Sequence, residues 1–475
     1  MSRQQPVDLC IIGAGSGGLA VAAGAAQMGA KTILIEKGRM GGDCLNYGCV
    51  PSKALIAAAH HAHGLRAGTA FGVGAVAPEV DFGHVHDHVH GVIAAIAPHD
   101  SQERFEDLGV EVIRAAARFT GRREVVAGTR RIRARRIVVA TGSSPTILPI
   151  PGLDAVPYFT NETIFDNRVC PAHLIVIGGG PIGLELAQAH RRLGAAVTVL
   201  EKFSFLAKDD AELSAVVIDA LREEGVDMLD ATDIDHIEGG DGDIRVHISH
   251  GGAPRVIGGS HLLVATGRTA NVGGLDLEAA GIDYSRRGIP VDARLRTSNR
   301  RVFAIGDVVA GGLQFTHVAG AHAGIVIRNA LFRLPARART EAVPWVTYTD
   351  PEMAHVGLDE QTAQARHGAI RVLRVPFADN DRAQAERRTR GLIKVVTSAR
   401  GRILGASIVG AHAGELIFPW VLALSNGLTI GAMAQAIAPY PTLSEISKRA
   451  AGAFYTPKLF SPRTRFLVRL LARFG

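Results

Sequence analysis

Two cysteines, Cys44 and Cys49, stand five positions apart in the stretch Gly41-Gly42-Asp43-Cys44-Leu45-Asn46-Tyr47-Gly48-Cys49-Val50-Pro51-Ser52-Lys53. Thiols this close can make and break a bond with each other, and the flanking glycines let the backbone approach another group closely. Four cysteines in 475 residues are too few for a disulfide framework. That usage suits a reducing compartment, where a surviving pair is more often catalytic than structural. Cys10, inside an apolar strand, and Cys170, just before one, read as inert. The pair begins eight residues after Glu36, an acid that closes a nucleotide-binding unit. These positions point to redox chemistry at sulfur, exchanging electrons with whatever that unit holds.

The unit itself is legible. Val7-Asp8-Leu9-Cys10-Ile11-Ile12 reads as a buried parallel strand that runs into Gly13-x-Gly15-x-x-Gly18, an alanine-rich helix, and a second strand ending at Glu36. Gly13 permits the turn, Gly15 lets a pyrophosphate reach backbone N–H groups, Gly18 allows close helix–strand packing, and Glu36 takes ribose hydroxyls. The arrangement recurs as Leu174-Ile175-Val176-Ile177, Gly178-x-Gly180-x-x-Gly183 and a strand ending at Glu201, with 23 residues from first glycine to acid in both copies. One glycine fingerprint is a weak signal. The full order of strand, loop, helix, strand and acid, found twice, implies two dinucleotide sites and electron transfer between two cofactors. Glu201 would hydrogen-bond the adenosine ribose of NADH and repel the extra phosphate of NADPH, and no arginine pair follows Lys202, so NADH is expected over NADPH.

Two strand-plus-turn units, ending Ala140-Thr141-Gly142 and Ala265-Thr266-Gly267-Arg268, each close a nucleotide-binding region. Val302-Phe303-Ala304-Ile305-Gly306-Asp307 returns the chain to the first of them, with Asp307 facing the sugar or phosphate part of a cofactor. From residue 343 the pattern changes to strands at 371–377, 391–397 and 403–409 among amphipathic helices, an α+β domain. The expected organisation is α/β with two Rossmann-like domains: a first segment at 1–150, a second at 151–272, a return at 273–342, the α+β domain at 343–456 and a tail at 457–475.

A net charge of +7 is scattered and is not interleaved with aromatics, which make up 5% of the chain, so nucleic-acid binding is not expected. Gly13, Gly15, Gly17 and Gly18 interrupt the apolar N-terminal run, so no export segment is read, and a cytoplasmic protein is expected.

As a set, the two fingerprints, the Cys44/Cys49 motif, both Ala-Thr-Gly turns, Gly306-Asp307 and Thr349-Asp350-Pro351-Glu352 resemble the class I pyridine nucleotide-disulfide oxidoreductases. That family includes dihydrolipoamide dehydrogenase, glutathione reductase and mercuric reductase. The resemblance, from Val7 to about Tyr455, implies FAD in the first domain, a nicotinamide nucleotide in the second and a C-terminal domain that forms a two-fold homodimer. It implies that Cys49 lies against the flavin, that Cys44 is the exposed interchange thiol, and that Lys53 and Glu185 pair near the flavin's reactive nitrogen. FAD would then be held by Gly13, Gly15, Gly18, Glu36, Lys53, Thr141, Gly142 and Asp307. The second nucleotide would be held by Gly178, Gly180, Gly183, Glu201 and Gly267.

One departure bears on the acceptor. Where dihydrolipoamide dehydrogenase and glutathione reductase carry a histidine acting as acid and base, this chain has Tyr440, with Glu445 in the place of the orienting acid. A phenol titrates near 10 and is a poor base at pH 7, which argues against efficient exchange with lipoamide or glutathione. Mercuric reductase is similar here, since it also has tyrosine, but no cysteine follows Cys170 to supply that enzyme's C-terminal pair. The expectation is a reductase that passes electrons between NADH and a thiol, disulfide or thiophilic metal. Its alternatives are an NADH:quinone or diaphorase-type flavoenzyme that does not need the pair, and a redox-sensing membrane-associated subunit.

Two features stand apart. On a helix over residues 80–97, His84/His88 and His86/His90 are i, i+4 pairs of a spacing that can bind copper, nickel or zinc, but a solvated face is the preferred reading and no metal site is assigned. In the tail, Lys458, Arg463, Arg465, Arg469 and Arg473 alternate with apolar residues. A basic amphipathic helix there can lie on an anionic membrane surface or, the preferred reading, pack on the dimer body.

Overall fold

The computed structural model describes residues 7–474; residues 1–6 of the first predicted segment and Gly475 of the tail lie outside the described residues. The chain forms two compact units, one of residues 7–202 with 226–339 and the other of 203–225 with the chain from 340 onward.

In the first unit, the strand Val7–Ile12 lies between Thr32–Glu36 and Arg130–Val139. Glu111–Arg114 pairs beyond the former and Val302–Ala304 beyond the latter, all parallel. Leu9, Cys10 and Ile11 are fully buried, as the continuous apolar run requires of a strand covered on both faces. The helices Ser16–Gln27 and Thr316–Ala330 pack together over this sheet, so closely that a Cβ at Gly24 would meet Ile327 Cδ1 at 2.4 Å. A second parallel sheet repeats the order with Asp227–Leu229, Ala196–Leu200, His173–Ile177 and His261–Val264. An antiparallel sheet of Thr232–Gly240, Asp243–His250 and Ala253–Gly259 packs Ile237, Ile244, Val246 and Ile248 into the same core. Each Thr-Gly turn leads into one strand of a short antiparallel ribbon, Ser143–Pro145 with Arg268–Ala270, which ties the two nucleotide modules together. The doubly built Rossmann-like architecture expected from the sequence is present.

The second unit holds a five-stranded antiparallel sheet in the order Pro344–Thr347, Glu352–Gly357, Ile403–Gly410, Leu392–Ser398, Ile370–Pro376. Its core includes Trp420, whose indole donates to Ser447 Oγ at 3.0 Å. Residues 203–225, read from sequence within the second nucleotide segment, cluster with this sheet. The buried Lys394 ammonium explains the placement, since it pairs with Asp210 at 2.7 Å, Glu212 at 3.0 Å and Glu360 at 2.8 Å. The tail forms the short helices Thr456–Leu459 and Pro462–Leu471, with Phe466, Leu467 and Leu471 exposed in the chain. No described helix is long and apolar enough to cross a membrane.

Candidate active site

The cysteine loop is held against the first glycine fingerprint by backbone alone. Gly41 N–H donates to Ala14 O at 2.9 Å, and Gly15 and Gly41 form a parallel bridge. Gly42 has φ +60°, and a Cβ on it would lie 2.7 Å from Gly15 Cα, so only glycine allows this approach. Asn46 fastens the loop further, donating to Met40 O and Gly42 O at 2.9 Å each. Cys44 therefore sits in the short helix Gly42–Asn46, and Cys49 opens the long helix Cys49–Arg66.

The two thiols are electrostatically unequal. Cys49 is pushed down to about 6, first by a hydrogen bond from Cys44, then by the Thr316 hydroxyl and the Lys53 charge, against the opposing pull of burial and Asp43. Thr316 Oγ1, at the start of the helix Thr316–Ala330, lies 3.3 Å from Cys49 Sγ. Cys44 moves up, through its hydrogen bond to Cys49 and through burial. Its position inside a short helix leaves Cys44 half-buried, whereas Cys49, the first residue of its helix, is exposed. One turn on, Lys53 Nζ reaches Glu185 Oε2 at 2.8 Å, with Glu185 buried on the helix Pro181–Arg192. Cys10 is fully buried and its thiol is pushed up to about 12, while the half-buried Cys170 is also raised by burial, so both are poor nucleophiles.

A network behind the thiols joins both nucleotide modules. Arg268, 12% exposed, lies 3.0 Å from Asp43 Oδ1. It also donates to Ser143 Oγ at 2.7 Å and Ser143 O at 2.8 Å. Ser143 in turn donates to Asp307 Oδ2 at 2.8 Å, and burial raises the Asp307 carboxyl. Asn161 donates to Asp43 Oδ1 and to Tyr47 O, each at 3.1 Å. Thr141 Oγ1 donates to Asn271 O at 2.7 Å, and Gly142 O accepts from Asn271 N–H at 2.9 Å, which fixes the first Thr-Gly turn. Sequence reading missed Thr316, Asp43, Asn161 and Asn271 as working residues. Only Arg268 and Asp43 carried a signal, as neighbours of recognised motifs.

Both fingerprints have the expected shape. A Cβ at Gly13 or Gly178 would collide with the carbonyl of the neighbouring Thr-Gly strand, at 2.3 and 2.4 Å, and one at Gly18 or Gly183 with the first glycine's carbonyl, at 1.8 and 2.0 Å. At Gly15 a Cβ would meet nothing nearer than 3.9 Å, and at Gly180 or Gly267 nothing within 4 Å. These are open cradles that a side chain would fill and that a phosphate group fits. Glu36 accepts from Ala14 N–H and Gly38 N–H, each at 2.6 Å, and Glu201 accepts from Gly179 N–H at 2.7 Å. In each copy the acid thus braces the glycine loop.

Comparison with known proteins agrees with this geometry. Residues 7–323 match the pyridine nucleotide-disulphide oxidoreductase family and residues 343–451 its dimerisation domain. The chain belongs to the pyridine nucleotide-disulphide oxidoreductases. It is 36% identical to a mercuric reductase of Bacillus cereus, over 94% of this chain and 71% of that one. It is 37% identical to a dihydrolipoyl dehydrogenase of Thermus scotoductus, over 94% and 97% respectively. Among solved structures it is similar to the Cu(II) complex of the HOCl-induced flavoprotein disulfide reductase RclA from Escherichia coli. The match has TM-score 0.84 and 28% identity, and covers 94% of this chain and 99% of that one. The family is FAD-dependent and uses a pyridine nucleotide, and the two open glycine cradles suit that pair of cofactors.

The remaining predicted residues of this oxidoreductase lie in the second unit. The Tyr440 hydroxyl donates to Asp381 Oδ2 at 3.0 Å, and that bond raises the phenol above its ordinary value. Glu445, expected as the orienting acid, opens the helix Glu445–Ala453, and its Oε2 is buried without a hydrogen-bond partner among the described residues. The Glu445 charge also raises the Tyr440 phenol. On the helix Phe82–Ile96, His86 and His90 stack with ring centroids 4.2 Å apart, while His84 pairs with Asp81, His86 with Asp87 and His90 with Asp166.

Proposed function

We propose that this protein is an NADH-dependent reductase that delivers two electrons, through FAD and the Cys44–Cys49 pair, to a thiophilic metal acceptor in the manner of a mercuric reductase. It would act as a homodimer through residues 343–451 and, from its cysteine usage, in the cytoplasm. Bound FAD supplies two-electron transfer between the nicotinamide and the cysteine pair. It would be held by Gly13, Gly15, Gly18, Glu36, Thr141, Gly142 and Asp307, with Lys53 offering positive charge to the reduced form. Gly178, Gly180, Gly183, Glu201 and Gly267 would hold NADH.

The chain's own residues set the proton inventory. In the reduced pair Cys44 keeps its proton and shares it with Cys49, which stays a thiolate beside Lys53 and Thr316. A soft cation takes both sulfurs as thiolates, so its arrival releases the Cys44 proton and needs no base to return one. A disulfide substrate does need that base, to protonate the departing thiolate and deprotonate the attacking thiol. The observation that carries the reading is the Tyr440–Asp381 hydrogen bond, which moves a phenol further from the neutral range. Several relatives named mercuric reductase, at 33–36% identity, point the same way.

The test is steady-state NADH oxidation by wild type and Tyr440→His, with lipoamide and with thiol-complexed Hg(II). Wild type should reduce the metal complex and neglect lipoamide, and the histidine should raise lipoamide turnover. Rapid lipoamide turnover by wild type would overturn the metal reading.

A further inference from the structure

On the outer face of the antiparallel sheet in the second nucleotide module, His236, Glu238 and His247 bring three donor atoms within 4.8 Å of one another. Strand register puts them there. His236 and Glu238 are two residues apart on Thr232–Gly240 and share a face, and His247 on Asp243–His250 stands directly opposite His236. A β-bulge between Ile234 and His236 creates this alignment. Without the extra residue, Asp235 would face His247, and His236 would turn inward opposite the fully buried Val246.

The side chains are already gathered. The two imidazoles stack with centroids 4.0 Å apart and planes at 13°, and His247 Nε2 lies 3.0 Å from Glu238 Oε1. That contact is the first cause holding the Glu238 carboxyl below its ordinary range. Arg245, 3.6 Å from Glu238, has a nearer carboxylate in Asp243 at 3.1 Å, so Glu238 can turn to a cation without stranding the guanidinium. His236 and Glu238 are exposed and His247 half-buried, so the rotations that bring donor atoms to about 3.3 Å, the span of two ligands around a tetrahedral ion, are open to them.

We propose that His236, Glu238 and His247 form a surface site for a borderline divalent cation, Zn(II), Ni(II) or Cu(II), with water completing its coordination. Two imidazoles and one carboxylate select that class, because Mg(II) and Ca(II) prefer all-oxygen shells and soft Hg(II) prefers thiolates. The cation pins two strands of the sheet to each other. It leaves the cysteine pair alone, since none of the three ligands takes part in that site. The inference is independent of the metal-reductase reading.

The experiment is calorimetric titration of Zn(II) into the full-length, FAD-loaded protein with its cysteine pair oxidised, so that no thiolate competes. The expected result is one site per chain, weakened at least about tenfold by His236→Asn and by His247→Asn. NADH–ferricyanide turnover should be unchanged in both variants, which shows that they fold. No binding by wild type, binding by a variant carrying both His236→Asn and His247→Asn equal to wild type, or a loss only when His86 and His90 are replaced would each overturn the proposal.

Discussion

Cys44→Ala tests how the reactive thiolate is made. Cys49 is pushed down to about 6 from 9.0, so about nine-tenths of it is ionised at pH 7, against about one-hundredth of an unassisted thiol. The hydrogen bond from Cys44 is the first cause, and the alanine variant removes it. Three weaker supports stay: the Thr316 hydroxyl at 3.3 Å, the Lys53 ammonium one turn away, and the N–H groups at the start of the helix Cys49–Arg66. The Cys49 midpoint should therefore climb by more than about one unit yet stop short of 9.0. The alkylation rate at pH 7 is a poor readout. Fewer thiolates react, but each is more basic and so more nucleophilic, with a Brønsted slope of about 0.4–0.5, and the two effects nearly cancel. The midpoint of the pH–rate profile does not suffer this. Iodoacetamide labelling of Cys49, followed by mass spectrometry from about pH 5 to 10 in reduced wild type and Cys44→Ala, gives it directly. A variant midpoint still near 6 would refute the reasoning and credit the helix terminus and Lys53 instead.

Three further outcomes follow from the same contacts. On the proposed NADH reading, replacing Glu201 with alanine removes the carboxylate that would meet the adenosine ribose, so the NADPH-to-NADH ratio of kcat/KM should rise at least about tenfold in steady-state assays. Arg268→Met leaves Asp43 and the half-buried Asp307 without their shared cation, at a cost of about 1–3 kcal/mol, and calorimetry should show a lowered unfolding temperature that Arg268→Lys restores only in part. Lys394→Met should destabilise the C-terminal unit with a defined pH signature. Its partners Glu212 and Glu360 have lowered carboxyls, so their contribution is present above about pH 4.3 and fades as pH falls through their folded values. Lys394 itself is raised, so its contribution is present below about pH 10.4 and fades only at more alkaline pH. Denaturant unfolding should show the largest gap between wild type and variant from about pH 5 to 9, narrowing toward acid.

Much of the fold was legible because its determinants are local. A fingerprint glycine announces itself since its neighbours forbid a Cβ, as Gly13, Gly18, Gly178 and Gly183 each do within 2.4 Å of a carbonyl. The Lys53–Glu185 pair could be named from the family resemblance, and it stands at 2.8 Å. The partners that tune the thiols are another matter. Thr316 lies 267 residues from Cys49, and no spacing rule relates a helix start there to a thiol here. Asp381 beside Tyr440 escaped notice for a similar reason, since which acid meets the hydroxyl depends on tertiary packing. The histidine-rich helix shows the reverse case. Its i, i+4 spacing is conspicuous in sequence, and His86 and His90 do stack at 4.2 Å, yet their ring nitrogens meet Asp87, Arg168 and the Phe165 carbonyl, while the three-donor cluster rests on a bulge that no pattern of residue types marks.

The way the cysteine loop is held explains how one scaffold can serve different acceptors. Its register comes from glycine backbone against glycine backbone, Gly41 and Gly42 on Ala14 and Gly15, so the thiols are positioned by the same turn that makes the nucleotide cradle. A substitution that spoils the cradle spoils the thiol geometry with it, and neither can drift alone. The proton chemistry is under no such constraint. Tyr440 belongs to the other unit, and its hydroxyl is engaged by Asp381. On the proposed reading, electron delivery is set by the fold and selection among acceptors falls to residues that manage protons. That division makes Tyr440→His the informative exchange: if lipoamide turnover appears while the Cys49 midpoint stays at its wild-type value, acceptor choice and thiol activation are separable in this chain.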